Sequence, residues 1–175
     1  MTIIIHKGTQ PLVSERLLLN QFQEKDTKDF FKNVTSQPET TKYLSWEYHR
    51  TPTITNDMIK KSMEFYSHKN YYNWCIRLKE ENYVVIGAIE LSFVDDKTLS
   101  VGYCLSPKYW HNGYMTEALK LVIQYAKELN CRNIVAECCI ENEASIKILK
   151  NVGFLLKEVI HYENNQKSLK YILKI

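Results

Sequence analysis

The residues best placed to do chemistry lie in one stretch, Gly102-Tyr103-Cys104-Leu105-Ser106-Pro107-Lys108-Tyr109-Trp110-His111-Asn112-Gly113-Tyr114-Met115-Thr116-Glu117-Ala118. An alternating strand pattern there runs into a short loop, and the loop opens directly into a helical pattern with Gly113 at the turn. The first amides of a helix have no internal partner and point outward. Together with the positive end of the helix dipole they form an anion site. Each favourable charge there is worth about 0.3–1 kcal/mol at an exposed surface. A single glycine fits equally well a strand-to-helix turn that binds nothing, so the loop by itself leaves both readings open.

The elements around this stretch follow from periodicity. Arg16 to Phe22 reads as a first strand, Glu24 to Val34 as a first helix, and Thr55 to His68 as a second helix. The segment Thr35 to Thr53 between the helices is irregular and aromatic. Tyr72 to Leu78, Tyr83 to Phe93 and Leu99 to Leu105 alternate and are joined by short turns, as an antiparallel meander requires. A helical stripe through Ala118, Val122, Tyr125, Ala126 and Leu129 stops at Asn130. Asn133 to Ile140 reads as a buried strand, and Asn142 can cap a helix that runs to Val152 and ends at Gly153. Phe154 to Tyr162 and Leu169 to Ile175 are the last strands, joined across Glu163 to Gln166. Strand–helix–strand–helix–strand at this spacing implies one parallel crossover inside an otherwise antiparallel sheet, a mixed α+β fold.

Composition excludes several classes of function. The chain has 175 residues, 45% hydrophobic and 25% charged, which fits one globular domain over residues 1–175. The net charge of +3 is too mild to predict a nucleic-acid partner. The longest apolar run, Val84 to Ile89, stops at Glu90, far short of a bilayer span, so no membrane partner is expected. The first residues lack the basic start and apolar core of a signal peptide, and a cytoplasmic location is the expectation. The five cysteines are odd in number and show no Cys-x-x-Cys spacing, so neither a disulfide frame nor a metal site is expected. Cys104 alone lies in the chemically informative stretch.

Tyr109 to Ala118 resembles the acetyl-CoA pyrophosphate loop of the GNAT superfamily of N-acetyltransferases, above all its RimJ/RimL-like ribosomal-protein N-terminal acetyltransferases, which read Trp-Gly-Lys-Gly-Tyr-Ala-Thr-Glu-Ala there. Three further stretches agree in order. Ser14 to Leu19 resembles the opening Thr-Glu-Arg-Leu strand, Gly102 to Pro107 the Gly-Tyr-x-Leu-x-Pro strand, and Asn142 to Phe154 the Asn-x-x-Ser-x-x-x-Leu-x-x-x-Gly-Phe helix. The resemblance implies a mostly antiparallel sheet of about seven strands, with a central parallel pair splayed to bind acetyl-CoA and helices on both faces. It implies acetyl-CoA as co-substrate, no metal, and transfer of acetyl to a primary amine, either a protein N-terminus or a small amine. The assembly is expected to be a monomer or a homodimer.

The same resemblance assigns roles. The amides of His111, Asn112, Gly113, Tyr114, Met115 and Thr116 would cradle the pyrophosphate. The backbone of Cys104 and Leu105 would pair with the pantetheine arm as an added strand does, and one of those amides could act as oxyanion donor. Asn142 would hold the pantetheine amide, or serve only as a helix cap. Ser145 would pass a proton to the leaving thiolate, or only face solvent. Three departures stand out: His111 replaces the usual Gly, Asn112 the usual Lys, and Met115 a Gly or Ala, so either the Met115 side chain turns away from the ligand or CoA binding is weakened. Val101 stands where many relatives carry Glu.

Amide formation needs a neutral amine. At pH 7 an α-amine is about 10–15% neutral and a lysine amine roughly 0.04%. The carboxylate nearest the expected cleft is Glu90, which shares a strand face with Ala88 and Ser92. It is either the base, directly or through a water, or a solvent-facing polar position; Glu163 is the alternative. Tyr43, Trp46, Tyr48 and Trp74 are candidates for the acceptor wall. A second function of a different class, acyl-CoA binding without turnover, is motivated by His111, Met115 and Val101.

Overall fold

The computed structural model describes residues 3–163 and 166–175. In chain order its elements are β1 (Leu12–Val13), β2 (Leu17–Asn20), α1 (Thr27–Phe30), α2 (Pro38–Thr41), α3 (Pro52–Phe65), β3 (Tyr72–Leu78), β4 (Val84–Asp95), β5 (Thr98–Leu105), α4 (Tyr114–Glu128), β6 (Asn133–Cys139), α5 (Glu143–Asn151), β7 (Leu155–His161) and β8 (Lys167–Lys174). A 3₁₀ turn precedes α1 and a wide π-type turn, Phe31–Thr35, follows it, so the expected first helix is present but irregular. The expected last turn has its Asn164 and Asn165 outside the described residues.

One eight-stranded sheet carries the fold in the order β1-β2-β3-β4-β5-β6-β8-β7. Every neighbouring pair is antiparallel except β5 and β6. The expected count of about seven becomes eight because two residues at Leu12–Val13 pair with β2. Strand alternation sorts the side chains into two layers. Trp74, Ile76, Ile89, Leu99 and Val101 pack on one face against Ala118, Leu119, Val122 and Tyr125 of α4 and Leu149 of α5. Cys75, Val85, Ala88 and Cys104 pack on the other face against Phe30, Val34 and Ile59, from α1, the turn after it and α3. Helices therefore cover both faces.

The helix that matters most, α4, is bounded by two left-handed residues. Gly113 precedes it at φ +79° and Asn130 lies beyond its end at φ +64°. Its apolar stripe buries Ala118, Leu119, Val122 and Ala126 completely, which is what fixes the helix start against the sheet.

A second device docks α1. Arg77 on β3 and Asp26 are both nearly fully buried. Arg77 donates from Nη1 to Asp26 Oδ1 at 2.8 Å, from Nη2 to Oδ2 at 2.6 Å, and from Nε to Asn20 Oδ1 at 2.8 Å. The Gln23 amide donates to Asp26 Oδ2 at 2.8 Å. A buried carboxylate and a buried guanidinium thus satisfy each other in the fork geometry that suits both.

Candidate active site

β5 and β6 pair only at Thr98↔Asn133, Leu99↔Ile134 and Ser100↔Val135. Beyond that point β5 runs on to Leu105 and β6 to Cys139 with a gap between them. Two bonds set the phase of β5: the Ser106 amide donates to the Ile86 carbonyl on β4, and the Asn133 amide donates to the Lys97 carbonyl. Peptide groups alternate along a strand, so even-numbered residues of β5 face β4 and odd-numbered ones face the gap. Tyr103 and Leu105 therefore present their peptides to the gap. The Cys104 peptide does not. It lies against β4, with its carbonyl so near Gly87 that a Cβ there would collide. Of the two peptides expected at the cleft, that of Leu105 faces the gap and that of Cys104 does not; Tyr103 faces it instead. The Leu105 carbonyl already accepts from Trp110 Nε1 at 2.8 Å, which leaves its amide available.

The loop at the end of β5 turns through two left-handed residues, His111 at φ +62° and Gly113 at φ +79°. The first explains the departure at position 111: a left-handed site suits Gly, and His is among the side chains that occupy it more often than most. Glu117 donates the first helical bond, to the Gly113 carbonyl at 3.0 Å. The amides before it, of Tyr114, Met115 and Thr116, stand outside the ladder. His111, Asn112 and Gly113 are exposed, and Met115 is buried with 3% of its surface accessible. The Met115 side chain thus turns into the core and offers only its peptide to the loop mouth.

Asn142 Oδ1 accepts from the Ser145 amide at 3.1 Å, a true cap of α5. The Asn142 side-chain nitrogen has no bond among the described residues. Ser145 Oγ lies 2.8 Å from the Tyr103 hydroxyl. Burial holds the Tyr103 phenol well above its ordinary range, so it stays protonated, although its bond to Ser145 works the other way. Tyr103 joins β5 to the first turn of α5, and nothing in its spacing announced that.

Glu90 faces Gly102 across the β4–β5 pair, and a Cβ on Gly102 would sit 3.2 Å from Glu90 Oε1. The glycine leaves room for the carboxylate. Glu90 reaches solvent, yet its recessed position desolvates it and raises its carboxyl above the usual range. No side chain among the described residues bonds to it. Glu90 shares its face with Ala88 and Cys104, whereas Ser145 meets Tyr103, which packs on the opposite face. The two expected catalytic residues thus flank the gap region from different sides of the sheet and do not touch.

On the Glu90 side the Thr35–Thr53 segment reaches over to the β6–α5 junction, where the Tyr43 hydroxyl donates to the Glu141 carbonyl at 3.3 Å. His49 pins the segment: it is buried, lies tilted against the Trp46 ring, and places Nδ1 2.8 Å from Thr55 Oγ1. Tyr48 is exposed. Trp74 is not a wall residue. It is fully buried in the α4 layer, edge-on to Tyr125, with Nε1 bonded to the Gln10 carbonyl. Glu163 lies exposed in an open depression with His161, Tyr162 and Gln166.

All five cysteines are free thiols. Burial pushes the Cys104 thiol up to about 12, which suits an inert packing residue rather than a nucleophile. Among the described residues no group of His, Cys, Asp and Glu could hold a metal ion, and no helix is long and apolar enough to cross a membrane.

Residues 16–155 match the family model described as Acetyltransferase (GNAT) domain, and the chain belongs to that family of acetyltransferases. It is 27% identical over 163 residues to an uncharacterized N-acetyltransferase, YoaA, of Bacillus subtilis, covering 91% of each chain. It is 25% identical over 153 residues to the ribosomal-protein-serine acetyltransferase of Escherichia coli, covering 83% of this chain and 82% of the relative. The fold superposes with a TM-score of 0.82 on RimL, a ribosomal L7/L12 alpha-N-protein acetyltransferase solved in complex with coenzyme A, at 19% identity over 95% of this chain and 98% of that one.

Proposed function

We propose that the protein transfers the acetyl group of acetyl-CoA to a primary amine, a protein N-terminus or a small amine, by direct attack. The observation that carries this reading is the juxtaposition of the opened β5–β6 edge with the unladdered amides at the start of α4. The likeness to a CoA-bound acetyltransferase supports it. The diphosphate lies against the amides of residues 111–116, and the tail pairs with the Tyr103 peptide and the Leu105 amide. Asn142 offers its free side-chain nitrogen to a pantetheine carbonyl.

In the reaction the neutral amine attacks the thioester carbon, and the Leu105 or Tyr103 amide receives the developing oxyanion. The C–S bond breaks as the tetrahedral centre collapses, and the sulfur takes its proton through the Ser145 hydroxyl as that hydroxyl recovers one from solvent water. Glu90 accepts the proton lost by nitrogen, directly or through a water, from the side on which Tyr43 and the Thr35–Thr53 segment enclose the acceptor. No acyl-enzyme forms: Cys104 packs against the Phe30 and Val34 layer, and among the described residues no histidine stands beside its thiol to act as base. An α-amine fits this site better than a lysine: its larger neutral fraction asks less of a single carboxylate. Binding without turnover loses two of its motives, since Met115 turns inward and His111 occupies a left-handed site.

Thiol release with a panel of amines tests the proposal, and Glu90→Gln tests the base. The wild-type rate is expected to rise with pH through the raised titration range of Glu90, a rise separate from the later one in which the acceptor amine itself loses its proton. Glu90→Gln is expected to lower the rate near neutrality by about 100-fold and to flatten that rise. The stability effect runs the opposite way. The folded state holds the Glu90 proton more tightly than the unfolded chain, so the native fold loses stability as pH rises from the ordinary carboxylate range through the raised one. At neutral pH Glu90→Gln should therefore melt no lower than wild type. An unaltered pH–rate profile would remove Glu90 as base.

A further inference from the structure

The opening strand and the helix-start motif lie about a hundred residues apart, yet their charged side chains meet. Arg16 donates from Nε to Glu117 Oε2 at 2.7 Å, and its Nη2 lies 2.6 Å from the same oxygen. Glu117 Oε1 accepts from Ser14 Oγ at 2.6 Å and from the Arg16 amide at 3.2 Å. The guanidinium also donates from Nη1 to the Asn112 carbonyl at 3.0 Å, lies 4.4 Å from the centre of the Tyr114 ring, and packs beside Gly113. Tyr114 is held in turn by its hydroxyl, which donates to Glu80 Oε1 at 2.8 Å.

We propose that Arg16 and Glu117 are positioning residues for the loop before α4, and that they set affinity for the diphosphate-bearing half of acetyl-CoA. The inference rests on the acetyl-CoA reading above. Asn112 stands between the two left-handed residues His111 and Gly113. Such a backbone persists only where its surroundings over-determine it. The Arg16 bond engages the Asn112 carbonyl in the middle of this turn, so that this acceptor is already satisfied when an anion meets the amides around it. Glu117 would otherwise put an unpaired negative charge in the first turn of α4, beside the anion. Burial opposes its ionisation, but the Ser14 hydroxyl and the Arg16 guanidinium outweigh that and hold its carboxyl below the usual range. Its charge is spent on the clamp and not on the ligand. Arg is the fitting residue because its planar fork reaches the carboxylate and the carbonyl together, which a lysine ammonium cannot do in that geometry.

The test compares acetyl-CoA with acetyl-pantetheine, a thioester that lacks the diphosphate and nucleotide. In Arg16→Met and, more gently, Glu117→Gln, KM for acetyl-CoA should rise about tenfold with little change in kcat. The preference in kcat/KM for acetyl-CoA over acetyl-pantetheine should fall by the same factor. Arg16→Lys should restore only part of it. A fall shared equally by both thioesters, or an unchanged preference, would overturn the clamp while leaving the acetyl-CoA reading intact. A wild-type enzyme that shows no preference for acetyl-CoA would instead overturn that reading, and the clamp with it.

Discussion

Gly113→Glu is expected to reduce affinity for acetyl-CoA by more than about 100-fold, which corresponds to roughly 2.8 kcal/mol. Gly113 adopts φ +79°, a conformation that a glutamate adopts only with strain, and it lies in the loop mouth beside Arg16. A glutamate there brings a negative charge against the diphosphate. Two unit charges about 4 Å apart near a protein surface interact by about 4 kcal/mol, so one such repulsion exceeds the predicted loss. The new carboxylate would also compete with Glu117 for Arg16 and release the Asn112 carbonyl. Gly113→Asn separates geometry from charge, because Asn visits the left-handed region without strong penalty. It should bind acetyl-CoA within about tenfold of wild type. Calorimetric titration of both variants measures the difference, and a Gly113→Glu affinity equal to that of wild type would remove the loop from the binding site.

The largest effect on stability is expected at the buried pair beneath α1. Asp26→Ala leaves the Arg77 guanidinium without its carboxylate at a position where only 8% of the side chain is accessible. Removing one partner of a buried pair costs about 3–5 kcal/mol. For a chain of this length that lowers the thermal midpoint by about 10 °C. Replacing both partners, Asp26→Leu with Arg77→Met, should recover most of the loss, since the penalty comes from the stranded charge and not from the missing attraction. Urea unfolding with an unchanged slope would report it cleanly. A double variant as unstable as the single would show instead that the α1 docking depends on the ion pair itself. The pair also matters to the site, because Phe30 and Val34 pack in the same layer as Ala88 and Cys104, beside Glu90.

The sheet was legible where large apolar residues alternate along a strand, so that every second side chain enters the same layer. β3, β4 and β5 follow the alternation of Tyr72, Trp74 and Ile76, of Ile89 and Leu91, and of Leu99, Val101 and Tyr103. The α4 stripe and its stop at Asn130 were legible for the same reason: burial on one face repeats with the helical period. Pairing order was not legible, because local pattern says nothing about which strand lies beside which. β8 comes to lie between β6 and β7, and only tertiary packing decides that. Within the site, the loop from His111 to Thr116 and the cap at Asn142 could be read from residue order. The phase of β5 could not be, since it depends on which neighbour takes each peptide; hence Tyr103, not Cys104, faces the gap. Trp74 was misplaced for a related reason: an aromatic on an alternating strand can point to either layer, and the α4 layer buries it. The Arg16–Glu117 clamp spans two motifs that sequence order keeps apart, and each residue alone looks like surface charge.

The most direct measurement of the central claim is a crystal structure of the wild-type protein grown with acetyl-CoA. The account predicts diphosphate oxygens within hydrogen-bond distance of the backbone amides between His111 and Thr116, and the thioester tail lying between β5 and β6 with its amides paired to Tyr103 and Leu105. A nucleotide seated elsewhere, with the edges of β5 and β6 left empty, would contradict it.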